Sequence, residues 1–297
     1  MGVFQDIIGD MVAKDRSEIF RLSDEYSYKL IEDDYISATF NNIHDNNHRW
    51  NDYSFNETDP FIKIAKSYKK KIEKAEPIDY HDVVAKKVIL AGINDYLETA
   101  DDIRNYLDWG SVYSDPQSIF DAFANMPTET DWDIQNIIKR MDKVPQAISE
   151  WIDTLEIVKE KGHVNAADRV VYLSDIVHNI YEKKLFQKYA STVAPENKKL
   201  MNAAHKADTS YGALAGYLLI YIEDAPNEFH VGEEKYIQLV KSQTGLTINP
   251  REVYLWGLKE VERINLEMWE VGKLIDPNVK SLDRKSTRLN SSHTDIS

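Results

Sequence analysis

The chain predicts an all-α fold, a multi-helix array of antiparallel helical hairpins. Apolar residues recur at three- and four-residue steps, helix-capping residues punctuate those runs, and the apolar/polar alternation of a half-buried strand is scarce. Helices are expected near residues 17–40, 58–75, 79–100, 116–125 and 130–142. Pro145 to Lys161 forms the next, closed by Gly162 at the position after the C-cap, where a positive φ is easiest for glycine. Asn165 then caps an amphipathic run to about Tyr189, and the two segments are expected to pair as an antiparallel hairpin. Helices near 196–223 and 232–243 follow. The last opens with Asn249 as N-cap, Pro250 at the first helical position and Glu252 in the first turn, which satisfies orphan N–H groups and pre-sets φ. Behind it Val253, Gly257, Val261, Ile264, Met268, Val271 and Ile275 line one face, so this helix is expected to face a core.

Turn-forming residues separate these runs at Asn41–Glu57, Gly110–Pro116, Met126–Thr130 and Asp224–Gly232. No fixed-period repeat is evident, which argues against a solenoid. A subdomain seam is placed near Pro195.

The 297 residues carry 36 basic and 50 acidic side chains, a net charge of −14. That balance argues against nucleic acid or an anionic membrane as partner, because phosphate binding needs a basic footprint. With no cysteine, the chain has no disulfide, thiolate metal site or thiol nucleophile. No basic region followed by an apolar run opens the sequence, Asp6 stands where a myristoylation site prefers Ser or Thr, and no stretch approaches the length of a membrane span. A cytoplasmic location is expected.

Residues Asp283 to His293 (DRKSTRLNSSH) are similar to the forward translation of a common short-read sequencing adapter, and Thr294–Ser297 would be its remainder. On that reading residues 283–297 are a non-native disordered tail, and residues 1–282 are the helical N-terminal part of a larger domain. The tail holds Arg284, Lys285 and Arg288 against Asp283 and Asp295, which leaves −15 for the rest.

Several islands, in order, resemble the N-terminal half of the bacterial family called domain of unknown function 885. They are Asp34–Asp52 (DYISATFNNIHDNNHRWND), Asp79-Tyr80-His81-Asp82 heading a helix, Trp109–Thr130, the KGHVNAADRV turn from Lys161 to Val170, Tyr211-Gly212-Ala213-Leu214, Gly232–Tyr236 and Asn249–Met268. Their order and spacing carry the likeness. The resemblance implies a helical protein related to zincin-type metallopeptidases, whose H-E-x-x-H-like zinc helix lies in the C-terminal half. Zn is therefore expected in the intact protein and no cofactor in this piece. The partners implied are a peptide substrate and the missing C-terminal half. Histidines at i and i+4 share a helix face and can reach one Zn²⁺ while the intervening Glu activates its water, and this sequence contains no such motif.

The expected role is a truncated N-terminal fragment of a zinc metallopeptidase, forming one wall of the substrate cleft and not catalytically competent alone. The alternative is a non-catalytic helical binding or scaffold module. The fragment reading expects an uncovered apolar surface that includes part of the Asn249 helix; the scaffold reading expects a self-contained core.

Three constellations bear on chemistry. His44-Asp45-Asn46-Asn47-His48 imitates the zinc spacing, but its asparagines favour a turn over a helix. Asp175, His178 and Glu182 share a helix face as an acid–base pair would, and read more simply as a solvated stripe. Among the aromatics Trp109, Tyr113, Tyr211, Tyr217, Tyr221, Tyr236, Tyr254 and Trp256, the two selected as cleft-facing are Tyr211 and Tyr236, because Gly212 and Gly232 nearby allow close backbone approach. The pairs Asp33–Asp34, Asp101–Asp102 and Glu233–Glu234 read as solvated faces. No nucleotide-binding glycine loop and no G-x-S-x-G elbow is present.

Overall fold

The computed structural model describes residues 17–109, 114–227 and 231–278, and every regular element among them is helical. The chain divides into two compact units, Met1–Phe229 and His230–Ser297. No helix of the described residues is long and apolar enough to cross a membrane.

The first unit begins with α1 (Glu18–Glu32), which packs with α3 (Ile62–Lys74) and α4 (Tyr80–Thr99). Ile19 and Leu22 of α1 meet Ala65, Tyr68 and Ile72 of α3 and Ile93 of α4 in a small apolar cluster, each set following the helical step. Ser17 caps α1 and also donates to the buried Asp82 on α4, whose other oxygen accepts from the Ile78 N–H. Asp79 caps α4 as its place before the apolar run implies.

The single helix expected over 17–40 is two. Asp34 accepts from the N–H and the hydroxyl of Ser37 and so starts a new helix, α2 (Tyr35–Phe40), where the first would have continued. An irregular stretch from Asn41 leads to α3, close to the expected loop.

The larger core is organised around α10 (Lys198–Tyr221), which packs against α6 (Asp131–Met141), α7 (Val144–Glu160), α8 (Ala167–Glu182) and α9 (Leu185–Val193). One helix can serve four neighbours because Ala203, Ala204, Ala207 and Ala215 let backbones approach, while Tyr211, Leu214, Leu218 and Tyr221 fill the space between. α5 (Asp115–Asp121), capped by Ser114, runs into a 3₁₀ turn at Ala122–Asn125, and a Thr130–Asp133 capping box opens α6.

Gly162 ends α7 as expected, with φ +90°. Its N–H donates to Lys159 O, and His163 N–H donates to Val158 O. The strong contacts of α7 and of the following helix α8 are each with α10 rather than with one another. Nor is Asn165 the cap. Helix α8 starts after Ala166, and the Asn165 amide is spent on the Leu107 and Trp109 carbonyls and on Ala166 N–H. The run expected to reach Tyr189 breaks at Lys184, whose φ is +50°. Pro195 marks no seam, because α9 before it and α10 after it share one apolar cluster.

Gly212 has a packing role. A Cβ there would lie 2.7 Å from the Tyr181 ring of α8. Because Tyr181 is partly exposed and can swing outward, Gly212→Ala should cost only about 1 kcal/mol and Gly212→Val more, measured by urea melts.

The second unit contains α11 (Glu233–Thr244), ended by Gly245 at φ +72°, and α12 (Pro250–Ile275). Asn249 accepts from Arg251 N–H and Glu252 N–H with Pro250 behind it, as expected. The apolar stripe of α12 is present, yet it faces no core. Val253, Val261, Ile264, Met268, Val271 and Ile275 are all exposed, and Gly272 is the one buried residue of the helix.

Candidate functional site

Within the first unit a cavity of about 1200 Å³ opens between the small N-terminal cluster and the larger core. Its walls come from the α1–α2 break, the irregular stretch before α3, the 3₁₀ turn Ile103–Leu107 after α4, and one face of α7. The irregular stretch owes its shape to anchors from elsewhere in the chain.

The chief anchor is Arg140 on α6, which is fully buried. Its guanidinium donates to Arg49 O at 2.9 Å, to Thr39 Oγ1 at 2.8 Å and to Tyr35 O at 2.9 Å. It also lies 4.8 Å from the Trp50 ring centre, and the Trp50 indole N–H returns a bond to Arg140 O. Among the described residues no carboxylate pairs with Arg140. Burial pulls its pKa down to about 10, so it remains charged at neutral pH, stabilised by carbonyl dipoles and a ring face. Three further bonds finish the wall: Thr154 Oγ1 donates to Tyr53 O, and Tyr106 OH accepts from Asn56 N–H and donates to Asn56 O.

Eight carboxylates line the cavity against three basic groups, Arg49, Lys143 and Lys161. Asp33 and Asp34 stand at the α1–α2 break, Asp52, Glu57 and Asp59 on the irregular stretch, Asp101 and Asp102 after α4, and Glu150 on α7. Among the described residues only Asp102 of these is ion-paired, with Arg104 as a fork at 2.7 to 3.1 Å. Ring faces alternate with the acids. Tyr35 carries the Arg49 guanidinium at 4.8 Å, Phe55 carries the Lys161 ammonium at 5.4 Å, and Phe55 stacks obliquely on Tyr106.

Asp115, at the start of α5, accepts from the Trp151 indole N–H at 3.2 Å. Burial first, and then the Asp34 charge, push its pKa up to about 6 against the pull of the Trp151 bond. A carboxyl held above its unfolded value binds more protons in the folded chain, so its contribution falls as pH rises from about 4 to about 6. Asp115→Asn keeps an oxygen for Trp151 and loses the charge. It should therefore melt higher than the native chain at pH 7.5, with the gap closing by pH 4.5; an equal gap at both pH values would refute this origin.

The residues singled out by sequence fall elsewhere. Tyr211 is wholly buried, its OH bonded to Pro116 O and its ring against Phe186. Tyr236 is exposed on α11 in the second unit. Trp109 and Tyr221 are core residues, Tyr217 OH donates to Glu156, and Tyr113 lies outside the described residues. Asp175, His178 and Glu182 are all exposed on α8. His44 to His48 is a turn: Asn47 is buried, held by Thr39 Oγ1 and by His44 Nδ1. Among the described residues no three His, Asp or Glu side chains are grouped to hold a metal ion. The acids of the cavity escape sequence reasoning because Asp33–Asp34 and Asp101–Asp102, as adjacent pairs, have the pattern of solvated faces; their place at helix ends is the available signal.

The family profile described as "Bacterial protein of unknown function (DUF885)" matches residues 36–295. The chain belongs to this family. The DUF885 match covers every wall of the cavity except Asp33, Asp34 and Tyr35, and it runs on to residue 295, in a segment that lies outside the described residues. No curated protein matches the chain.

Proposed function

We propose that this DUF885 chain is the N-terminal helical part of a zinc-dependent peptidase, forming one wall of its substrate cleft and lacking the residues for catalysis. The observation that carries the reading is the uncovered stripe on α12. A capped helix of 26 residues that exposes Val253, Val261, Ile264, Met268, Val271 and Ile275 is built to be covered. A C-terminal half carrying the metal helix is the partner proposed for it. The cavity in the first unit would then be the substrate-side wall, concave and aromatic as small-ligand and peptide sites are. A non-catalytic helical binding module is the second reading; the closed core around α10 favours it.

The test is to read the source gene beyond Leu282 and to express the product. A continuation with an H-E-x-x-H-like helix, and cleavage of peptides that stops on chelation, is the expected result. A native stop, or a genomic DRKSTRLNSSH, would leave the binding module.

A further inference from the structure

We propose that the segment Val3–Val12 of this chain packs against the outer apolar face of α4 and is the partner that face is shaped for. The contact is independent of the peptidase reading, because both members belong to the first unit.

Helix α4 is apolar on two sides. Its inner side, with Ala85, Ile89 and Ile93, packs into the small cluster with α1 and α3. On the other side Tyr80, Val84 and Val88 follow one another at four-residue steps and are 76%, 40% and 65% exposed. Ile78, 78% exposed, stands just before them. Single exposed apolar residues need no explanation, but a helix with apolar residues on both sides is built to be covered on both.

The chain enters α1 at the foot of this face. Buried Asp82 accepts from the Ser17 hydroxyl at 2.5 Å through one oxygen and from the Ile78 N–H at 3.0 Å through the other, so the residue that precedes α1 is pinned beside the start of the exposed ridge. Residues 1–16, which lead to Ser17, lie outside the described residues. Their sequence supplies what the face lacks: Phe4, Ile8 and Val12 recur at four-residue steps, flanked by Val3, Ile7 and Met11. Phe4 to Val12 and Tyr80 to Val88 cover the same span, about 12 Å along a helix axis. From Val12 to Ser17 the chain reaches at most about 17 Å, enough to turn back along α4 with Val12 near Tyr80, Ile8 near Val84 and Phe4 near Val88. Charge agrees. Asp6 and Asp10 accompany the apolar positions of the segment, while Lys87 on α4, and Lys70, Lys71 and Lys74 at the end of α3 that leads into it, are exposed. A segment this short gains helical order only by packing, and a tether this close presents it to its own α4 at an effective concentration of about millimolar, which favours it over the same segment of a second copy.

The chain has no cysteine, so introduced pairs report the contact cleanly. Ile8→Cys with Val84→Cys, and Phe4→Cys with Val88→Cys, are oxidised in the full chain beside a control pair, Ile8→Cys with Val171→Cys on the exposed side of α8. One or both of the first two pairs should close an intrachain disulfide at roughly ten times the rate of the control or more, because only Cα atoms held within about 7 Å can be bridged. In the cysteine-free chain, Val84→Asp should speed amide exchange over residues 3–12 by roughly tenfold and leave α9 and α10 unchanged. If its melt shows misfolding, Ile8→Asp is the second variant, with the same release expected. Failure of both pairs to close, closure no faster than the control, or exchange over residues 3–12 that neither variant alters overturns the proposal. A disulfide between two chains also overturns it and gives the face to a second copy. So does binding to phosphatidylserine vesicles that Ile8→Asp abolishes, with no intrachain disulfide, which gives the segment to a membrane surface.

Discussion

Arg140→Ala should destabilise the chain by about 3–5 kcal/mol and collapse the cavity wall, the largest effect expected of any single substitution. The side chain is wholly buried, and its removal leaves the Arg49 carbonyl without its partner, takes one bond each from Tyr35 O and the Thr39 hydroxyl, and opens a void beside Trp50. Arg140→Lys is not a conservative test. An ammonium on a flexible stem cannot reproduce three bonds diverging from a planar fork that also stacks on an indole, so a loss of about 2 kcal/mol or more should remain. Urea melts measure both, and a red shift of tryptophan emission that is absent when Trp50→Phe is the background should accompany them as the Trp50 indole gains water. An Arg140→Ala variant with native stability would show that the bonds to residues 35–49 are dispensable.

The second large effect belongs to Asp208. It sits on α10, nearly buried, and accepts from Phe186 N–H, from Gln187 N–H and from the Gln187 side-chain amide. In effect it is the N-cap of α9 supplied by another helix, twenty-odd residues away in sequence. Asp208→Ala leaves two backbone donors without an acceptor in the core, and should cost about 2–4 kcal/mol. Asp208→Asn retains one oxygen and should cost less. Burial also raises the Asp208 pKa, opposed by the bonds it accepts. Its own contribution therefore declines as pH rises from the unfolded carboxyl value to the raised folded one, and the Asp208→Asn deficit should be larger at pH 4 than at pH 8. Thermal melts at both pH values check the ordering of the three chains.

Those two residues also mark where the sequence stops being readable. Local chemistry was legible: Asp79, Asn249 and Gly162 act on backbone groups within four residues of themselves, and the helices they bound lie where capping rules put them. The break at Lys184 was not, because the N–H groups that follow it are capped by Asp208, and nothing near Lys184 advertises that partner. The same holds for Asn165. Its type and position suit a cap, yet its amide is drawn to carbonyls nearly sixty residues upstream, and the helix starts after Ala166 without it. The strong contacts of α7 and α8 go to α10 rather than to one another, since adjacency in sequence is only a prior for adjacency in space, and an alanine-rich α10 competes for both. The cavity was the least legible feature. It is assembled from segments between residues 33 and 161, and its acids, taken two at a time along the chain, are indistinguishable from ordinary solubilising charge.

The small apolar cluster formed by α1, α3 and α4 has a consequence for motion. Seven buried residues hold it together, against the far larger set around α10, and the cavity lies where the two meet. Cooperative units with few buried contacts open at lower free energy than the rest of a fold. Amide hydrogens of α1, α3 and α4 should thus exchange through a sub-global opening that leaves α10 protected, and that opening would dismantle one side of the cavity while the other stood. A ligand bound across the junction would slow exchange in those three helices in proportion to its affinity and leave α10 nearly unchanged. Hydrogen exchange thus reports occupancy of the cavity without a label or an assay of turnover.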